Sequence, residues 1–222
     1  MTLKKWTAKE RPGLWPLPGV RVVLEPLDWA EHGDGLYAAV AAPDMVDTWD
    51  FMPLGPFKSQ KDFQKTISNV CKNLGWEMIV IRRVKGGNVL GMAGFMRIRE
   101  AHGSAEVGCV AFGRELRRSP EATEAMYLMA SHIFDELGYR RYEWKCHNDN
   151  AASHRAAKRF GFQFEGVFRN DMVIRGKNRD TAWFAMTDGD WPPIKSAFEA
   201  WLAPSNFDAA GQQKKNLESF RV

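Results

Sequence analysis

The clearest chemical feature of the sequence is a basic segment that leads directly into a helix. Arg117 and Arg118 precede Ser119, a good helix N-cap, and Pro120, which suits the first helical position. The first turn of a helix carries free backbone N–H groups that attract anions, and neighbouring arginines add charge-assisted donors. The segment is therefore suited to an anion site, but by itself it is more typical of an ordinary helix start with solvated arginines.

A second polar group lies between a predicted strand and the helix that follows it. Asn148, Asn150 and Ser153 occupy this junction, and Asn150 is well placed to cap the helix. The five histidines lack zinc-like spacing, and the three cysteines form no CxxC pair. The sequence therefore predicts no metal site and no disulfide framework. No cysteine has a placed histidine partner that would make it a nucleophile.

Hydrophobic periodicity positions these residues on alternating strands and helices. Strands are predicted at 21–27, 77–83, 89–98, 105–112, 140–146, 162–169 and 181–187. Helices are predicted at 29–41, 60–74, 120–137, 150–160 and 190–202. The three strands between 77 and 112 form an antiparallel meander. Such an order is typical of an α/β fold, with a mixed sheet between helices on both faces.

Length and charge limit the class of protein. The 222 residues, 45% of them hydrophobic, support one core rather than two independent domains. We divide the chain into an arm (1–20), a main domain (21–191) and a C-terminal helix with a polar tail (192–222). A net charge of +4 does not by itself imply nucleic acid. The charged first ten residues and the lack of a long apolar run predict a cytoplasmic protein without a membrane span.

Four sequence blocks together resemble the GNAT superfamily of N-acetyltransferases, within the branch of the ribosomal-protein N-terminal acetyltransferases. The blocks are Glu106-Val-Gly, Arg117-Arg-Ser-Pro-Glu-Ala-Thr-Glu-Ala, His147-Asn-Asp-Asn-Ala-Ala-Ser and the run from Lys158 to Arg169. A later Arg175-Gly-Lys-Asn-Arg-Asp also fits that branch. The resemblance implies a single GNAT-like domain with a central, mostly antiparallel mixed sheet. It also implies acetyl-CoA as the acetyl donor, with no metal.

The resemblance assigns cofactor-binding roles to three segments. The family's pyrophosphate loop reads Gln/Arg-x-x-Gly-x-Gly/Ala; Arg117 and Ala122 match its ends, but Pro120 replaces the central glycine and removes one N–H donor. A modified cradle is therefore expected, and its residues are Arg117, Arg118, Ser119, Glu121, Ala122 and Thr123. The pantetheine arm is expected along Val110, Ala111 and Phe112, and Asn148 and Asn150 are expected beside the cofactor.

The resemblance also indicates candidate catalytic residues and candidate residues of the acceptor pocket. Glu106 is the candidate general base, and the Ser153 hydroxyl is the candidate donor of a proton to the departing thiolate. The alternatives are a surface glutamate on an alternating strand and a structural serine. Trp49 and Phe51 are expected to line the acceptor pocket, with core anchors under a long loop as the competing interpretation.

Three functions follow, in order of support. The first is an N-acetyltransferase that moves an acetyl group to a primary amine, on a peptide N-terminus or a small molecule, in a ternary complex. The second is a catalytically silent acyl-CoA-binding regulatory module, which the missing glycine favours. RNA binding through the scattered arginines is disfavoured because no exposed aromatics are interleaved with them. The acceptor and the oligomeric state stay open, a dimer included.

Overall fold

A computed structural model describes residues 3–221. Within that range eight strands form one sheet in the order β1-β2-β3-β4-β5-β6-β8-β7. The strands are β1 (Leu17–Pro18), β2 (Val22–Pro26), β3 (Glu77–Arg83), β4 (Val89–Arg99), β5 (Ser104–Phe112), β6 (Arg141–His147), β7 (Gln163–Ile174) and β8 (Lys177–Thr187). The helices are α1 (Trp29–Val40), α2 (Gln60–Leu74), α3 (Pro120–Ser131), α4 (Ala151–Arg159) and α5 (Trp191–Leu202). The predicted single α/β domain with a mixed, mostly antiparallel sheet is confirmed.

Local signals in the sequence explain where the helices begin and end. Ser59 caps α2 by accepting a hydrogen bond from the Asp62 N–H at 3.2 Å, and Gly75 ends it with a left-handed φ of +63°. Helix α3 starts at Pro120 as predicted, and a π-helical turn, His132–Glu136, follows it directly over the rest of the predicted helix.

The two faces of the sheet pack against different helices. On one face, β5 and β6 residues such as Val107 and Trp144 join the side chains of α3 and α5 in the larger core. On the other, Met92 of β4 and Ala111 of β5 pack under α1 and α2, around Phe63. We call these the α3–α5 face and the α1–α2 face.

The one parallel pairing in the described sheet, between β5 and β6, is short. It joins Ser104–Val107 to Arg141–Trp144, and β5 then continues to Phe112 beside β4 only. The register between β4 and β5 shifts in this stretch, where Cys109 adopts a φ of +48°. The resulting bulge bends β5 away from β6 and opens a fork in the middle of the sheet.

The C-terminal hairpin is longer than the sequence pattern predicted. The predicted strands 162–169 and 181–187 are parts of β7 and β8, which pair up to the turn at Arg175 and Gly176. Residues 170–178 are mostly exposed, so they lack the apolar alternation on which the prediction depended. Backbone pairing and a tight turn with positive φ at both Arg175 and Gly176 form the extension instead.

Both ends of the chain contribute to the fold. Glu124 of α3 accepts hydrogen bonds from the backbone N–H groups of Arg21 at 2.6 Å and Val22 at 2.9 Å, which ties down the start of β2. Helix α5 and Leu217 of the polar tail lie in the larger core. Among residues 3–221, no helix combines the length and apolar character that crossing a bilayer requires.

Candidate active site

The fork exposes one backbone edge of β5. Val110–Phe112, the predicted pantetheine segment, lies beyond the last residue that pairs with β6, so this edge has no strand partner on the β6 side. Unpaired N–H and C=O groups in a cleft can hydrogen-bond a ligand that runs alongside as an extra strand. An amide-containing arm such as pantetheine has the groups to do so.

Glu106 lies where the fork closes, on the α1–α2 face. Its side chain is only 4% exposed, and its Oε2 lies 2.7 Å from Arg97 Nε and 2.9 Å from Lys145 Nζ. The other oxygen, Oε1, points towards Gly108, where an added Cβ would come within 3.1 Å of it. Both cations therefore bind one carboxylate oxygen and leave the second one to face the bare glycine backbone.

Lys145 is a site residue that sequence reasoning missed. Its side chain is 3% exposed, with Nζ also 3.3 Å from Glu143 and 3.6 Å from the centre of the Trp183 ring. Burial lowers the pKa of Lys145, although Glu106 and Glu143 oppose that shift. The available signal was charge on alternate positions of a central strand, since Arg141, Glu143 and Lys145 share one face of β6.

The predicted anion cradle at the start of α3 is partly used by the protein itself. Ser119 caps the helix by accepting from the Ala122 N–H at 3.1 Å, and the Ser119 N–H donates to Leu116. Pro120 has no N–H, which leaves the Glu121 N–H as the first-turn donor without a partner inside the helix. Arg118, three residues earlier in the chain, has an exposed side chain, whereas Thr123 is buried and accepts from Arg159.

Arg117 is directed away from this cradle. Its guanidinium donates to the carbonyl of Phe112, to Asp47 Oδ2 at 2.9 Å and to Thr48 Oγ1 at 2.6 Å. It thus connects the end of β5 to the loop between α1 and α2. The neighbouring guanidinium also lowers the pKa of Asp47, which favours the charged pair.

At the α4 junction, Asn150 caps the helix as predicted, accepting from the Ser153 N–H at 3.0 Å. The Ser153 hydroxyl accepts from the Trp144 indole N–H at 2.9 Å, and it also lies within hydrogen-bond reach of the Cys146 sulfur. Asn148 donates its backbone N–H to the carbonyl of Asp180 on the neighbouring strand.

The loop between α1 and α2 closes over the α1–α2 face. Trp49 is completely buried, donates its indole N–H to the carbonyl of Val40 and packs on Phe57, so it anchors the loop from below. Phe51 remains at the surface, with its ring 5.5 Å from His147. Of the two predicted acceptor residues, only Phe51 is accessible to a ligand.

The sequence profile of the acetyltransferase (GNAT) domain matches residues 21–163, which include the fork, the cradle and the α4 junction. The chain belongs to the GNAT acetyltransferase family. Two solved GNAT structures are similar over most of the chain. A GCN5-related N-acetyltransferase from Brucella melitensis is 44% identical with a TM-score of 0.93, covering 99% of each chain. A probable GNAT acetyltransferase from Chromobacterium violaceum is 38% identical with a TM-score of 0.80, covering 86% of this chain and 95% of its own.

A curated relative is the uncharacterized N-acetyltransferase YoaA of Bacillus subtilis (strain 168), which is 33% identical over 101 residues. That match spans 46% of this chain and 56% of the relative, so it covers a little over half of the relative's length.

GNAT enzymes use acetyl-CoA, and the residues of this chain suit that ligand. The free β5 edge accommodates an amide-bearing arm, and Glu121 N–H with Arg118 offers donors to a phosphate group at the α3 start. Arg117, in contrast, binds Asp47 and Thr48 of the loop between α1 and α2.

Proposed function

We propose that this GNAT protein transfers the acetyl group of acetyl-CoA to a primary amine, by direct attack within a ternary complex. The observation that carries the proposal is the position of Glu106, with Oε1 free, at the closed end of the fork. The resemblance to the ribosomal-protein N-terminal acetyltransferases favours a free α-amino group, on a peptide or a small molecule.

The proposed chemistry begins with the amine. An ammonium group cannot attack, so a carboxylate within reach has to take its proton, and Glu106 Oε1 is the candidate acceptor. The neutral amine then attacks the thioester carbonyl, and backbone N–H groups along the free β5 edge hold the oxyanion that develops. As the C–S bond breaks, the Ser153 hydroxyl passes its proton to the leaving thiolate and takes up the second proton of the attacking nitrogen, so that the amide and the free thiol of CoA form and the serine is unchanged.

The cysteines support direct attack rather than an acetyl-enzyme. Burial raises the pKa of Cys146, the thiol nearest to Ser153, and raises that of Cys109 to about 12. Burial likewise raises the pKa of Cys71. A thiol is nucleophilic only as the thiolate, so all three remain protonated and unreactive near neutral pH.

A silent acyl-CoA-binding module is the second candidate, and two observations favour it. Pro120 reduces the donors of the cradle, and two cations already bind Glu106 Oε2. The deciding experiment measures thiol release from acetyl-CoA over a panel of primary amines, alongside the thermal shift that acetyl-CoA causes. An enzyme gives amine-dependent thiol release and an acetylated product by mass. A thermal shift without thiol release from any amine would identify the silent module.

A further inference from the structure

Strand β8 carries a row of polar side chains that no predicted role explains. Arg179, Thr181 and Trp183 occupy alternate positions, so they project to the same side of the strand. Thr181 is paired with His147 and Trp183 with Lys145 on β6. The row therefore lies on the α1–α2 face, along the side of the fork that β6 forms.

Each member of this row has a buried polar atom without a hydrogen-bond partner in residues 3–221. The atoms are Arg179 Nε, Thr181 Oγ1 and Trp183 Nε1. Arg179 is only 9% exposed and Thr181 only 2%. Burying such groups without partners costs free energy, and the cost is largest for a charge. Three orphaned groups on consecutive inward positions indicate a site that a ligand completes.

The chemistry of the row specifies that ligand. Arg179 Nε and Trp183 Nε1 are donors only, and the threonine hydroxyl can also donate. The Lys145 ammonium above the Trp183 ring adds positive charge. A cation such as a polyamine would meet repulsion from these groups, whereas a carboxylate accepts from such donors and pairs well with a guanidinium.

The guanidinium has no carboxylate partner within the described chain. Burial lowers the pKa of Arg179, although Cys146, Asp171 and Glu106 oppose that shift, and neither carboxylate forms an ion pair with the guanidinium. An arginine nevertheless keeps its charge at any pH that proteins tolerate. A buried, charged and unpaired arginine lies within the electrostatic reach of the candidate base.

We propose that the acceptor of this protein is an amino acid, whose carboxylate binds at this row with Arg179 as its counter-charge while its amine faces Glu106. This inference rests on the proposed acetyl transfer and narrows its acceptor from any primary amine to one that carries a free carboxylate. A peptide N-terminus offers a neutral carbonyl at that place and leaves the guanidinium without a counter-charge.

Aromatic groups beside the row suit the acceptor's own side chain. The exposed ring of Phe168 lies 4.6 Å from that of Trp183, and the exposed Phe51 contacts His147 across the same face. An apolar or aromatic amino-acid side chain would pack there.

The test compares matched acceptors that differ only at the carboxylate. The probes are L-phenylalanine, L-phenylalaninamide and phenethylamine, with the corresponding triples built on leucine, methionine and serine. We expect the free acid to exceed its amide and its amine by about 10- to 100-fold in kcat/KM, the value of one or two charge-assisted contacts. Arg179→Gln should remove that preference by lowering turnover of the acids alone, and Arg179→Lys should retain part of it.

The matched control is Arg169→Gln, an exposed arginine on the neighbouring strand β7, which should leave the preference intact. If the amides reach the same kcat/KM as the acids in every triple, or if Arg179→Gln lowers kcat/KM equally for acids and amides, the inference is overturned. An equal loss would mean that Arg179 acts on a group shared by all acceptors.

A binding measurement separates this inference from the proposed function. Titration calorimetry in the presence of CoA compares N-acetyl-L-amino acids with their amides, on wild type and Arg179→Gln. If wild type binds the acids more tightly than the amides and Arg179→Gln removes that preference, the inference is supported even when no amine is acetylated. The absence of acetylation would then contradict only the proposed function. Equal binding of acids and amides by wild type overturns the inference. If Arg179→Gln does not fold, Thr181→Val should still reduce the preference.

Discussion

Lys145 Nζ lies 2.9 Å from Glu106 Oε2, and both side chains are almost completely buried. Neither residue could be buried with a charge at low cost alone, because an isolated ion in the interior loses its hydration. Any substitution at one of them therefore acts on the other. An experiment on Glu106 therefore has to separate the loss of a proton acceptor from the loss of stability caused by a buried Lys145 without its partner.

Glu106→Gln should lower kcat by about 100-fold or more at neutral pH, because the amide cannot accept the proton of the amine. The Kd of CoA should stay the same, and raising the pH should partly restore turnover as more of the amine becomes neutral. The measurement is steady-state kinetics from pH 7 to 9 with a separate CoA titration. Turnover close to wild type at pH 7 would remove Glu106 as the base.

The same variant should also be less stable, by about 3–5 kcal/mol, because it leaves a buried ammonium without its nearest partner. Adding Lys145→Met to Glu106→Gln should recover much of that stability without recovering kcat. Urea unfolding and turnover of the single and double variants distinguish the two losses. Recovery of both together would mean that Glu106 acts only as a partner for the lysine.

The lowered pKa of Lys145 predicts how stability depends on pH. The folded-state pKa lies below 10.5, the usual value for a lysine, so between the two values the unfolded chain binds more protons than the native one. Stability contributed by Lys145 is therefore lowest below the folded pKa and rises as pH approaches 10.5. Urea unfolding should show wild type gaining stability relative to Lys145→Met over this window, with the exposed Lys177→Met as control. Parallel curves for wild type and Lys145→Met would contradict the prediction.

Arg117 and Arg118 should separate into different roles despite being neighbours. Arg118→Ala should weaken CoA about five-fold, near 1 kcal/mol for one charge-assisted contact, with the KM of the acceptor unchanged. Arg117→Ala should leave the Kd of CoA nearly unchanged and raise the KM of the acceptor. The reason is that Arg117 holds the loop between α1 and α2 through its hydrogen bonds to Asp47 and Thr48, and the variant loses them. Asp47→Asn should reproduce the Arg117→Ala result. A large loss of CoA affinity in Arg117→Ala alone would reverse the assignment.

The tip of the β7–β8 hairpin should hold the loop between α1 and α2 in place. Arg175 Nη2 donates towards the carbonyls of Met52 at 3.3 Å and Leu54 at 3.2 Å, and also contacts Gly55. Arg175→Ala should increase amide hydrogen exchange over residues 49–57 and raise the acceptor KM several-fold, roughly the loss of one such contact. The exposed Lys177→Ala is the matched control. Unchanged exchange in the loop would show that the hairpin does not restrain it.

The sequence predicted well those features that depend on neighbouring residues. The Ser59 cap, the apolar spacing up to Leu74 and the Ser119-Pro120 pair are local signals, so they predicted the bounds of α2 and the start of α3 closely. The hairpin beyond Arg169 was missed because its exposed residues form strands through backbone pairing, without apolar alternation. Trp49 could have been either pocket or core, and only its packing on Phe57 places it in the core.

By itself, the sequence determined the order of the elements, the family resemblance and the identity of Glu106, Asn150 and Ser153 as candidates, since all of these are written in short contiguous motifs. Only the tertiary structure decided what surrounds them. Glu106 meets Lys145 because the short parallel pairing of β5 and β6 brings together residues that are far apart along the chain. The row of Arg179, Thr181 and Trp183 keeps polar atoms without a hydrogen-bond partner among residues 3–221, because the fold places no partner opposite them. Burial and charge compensation depend on contacts between distant segments, which no local pattern encodes.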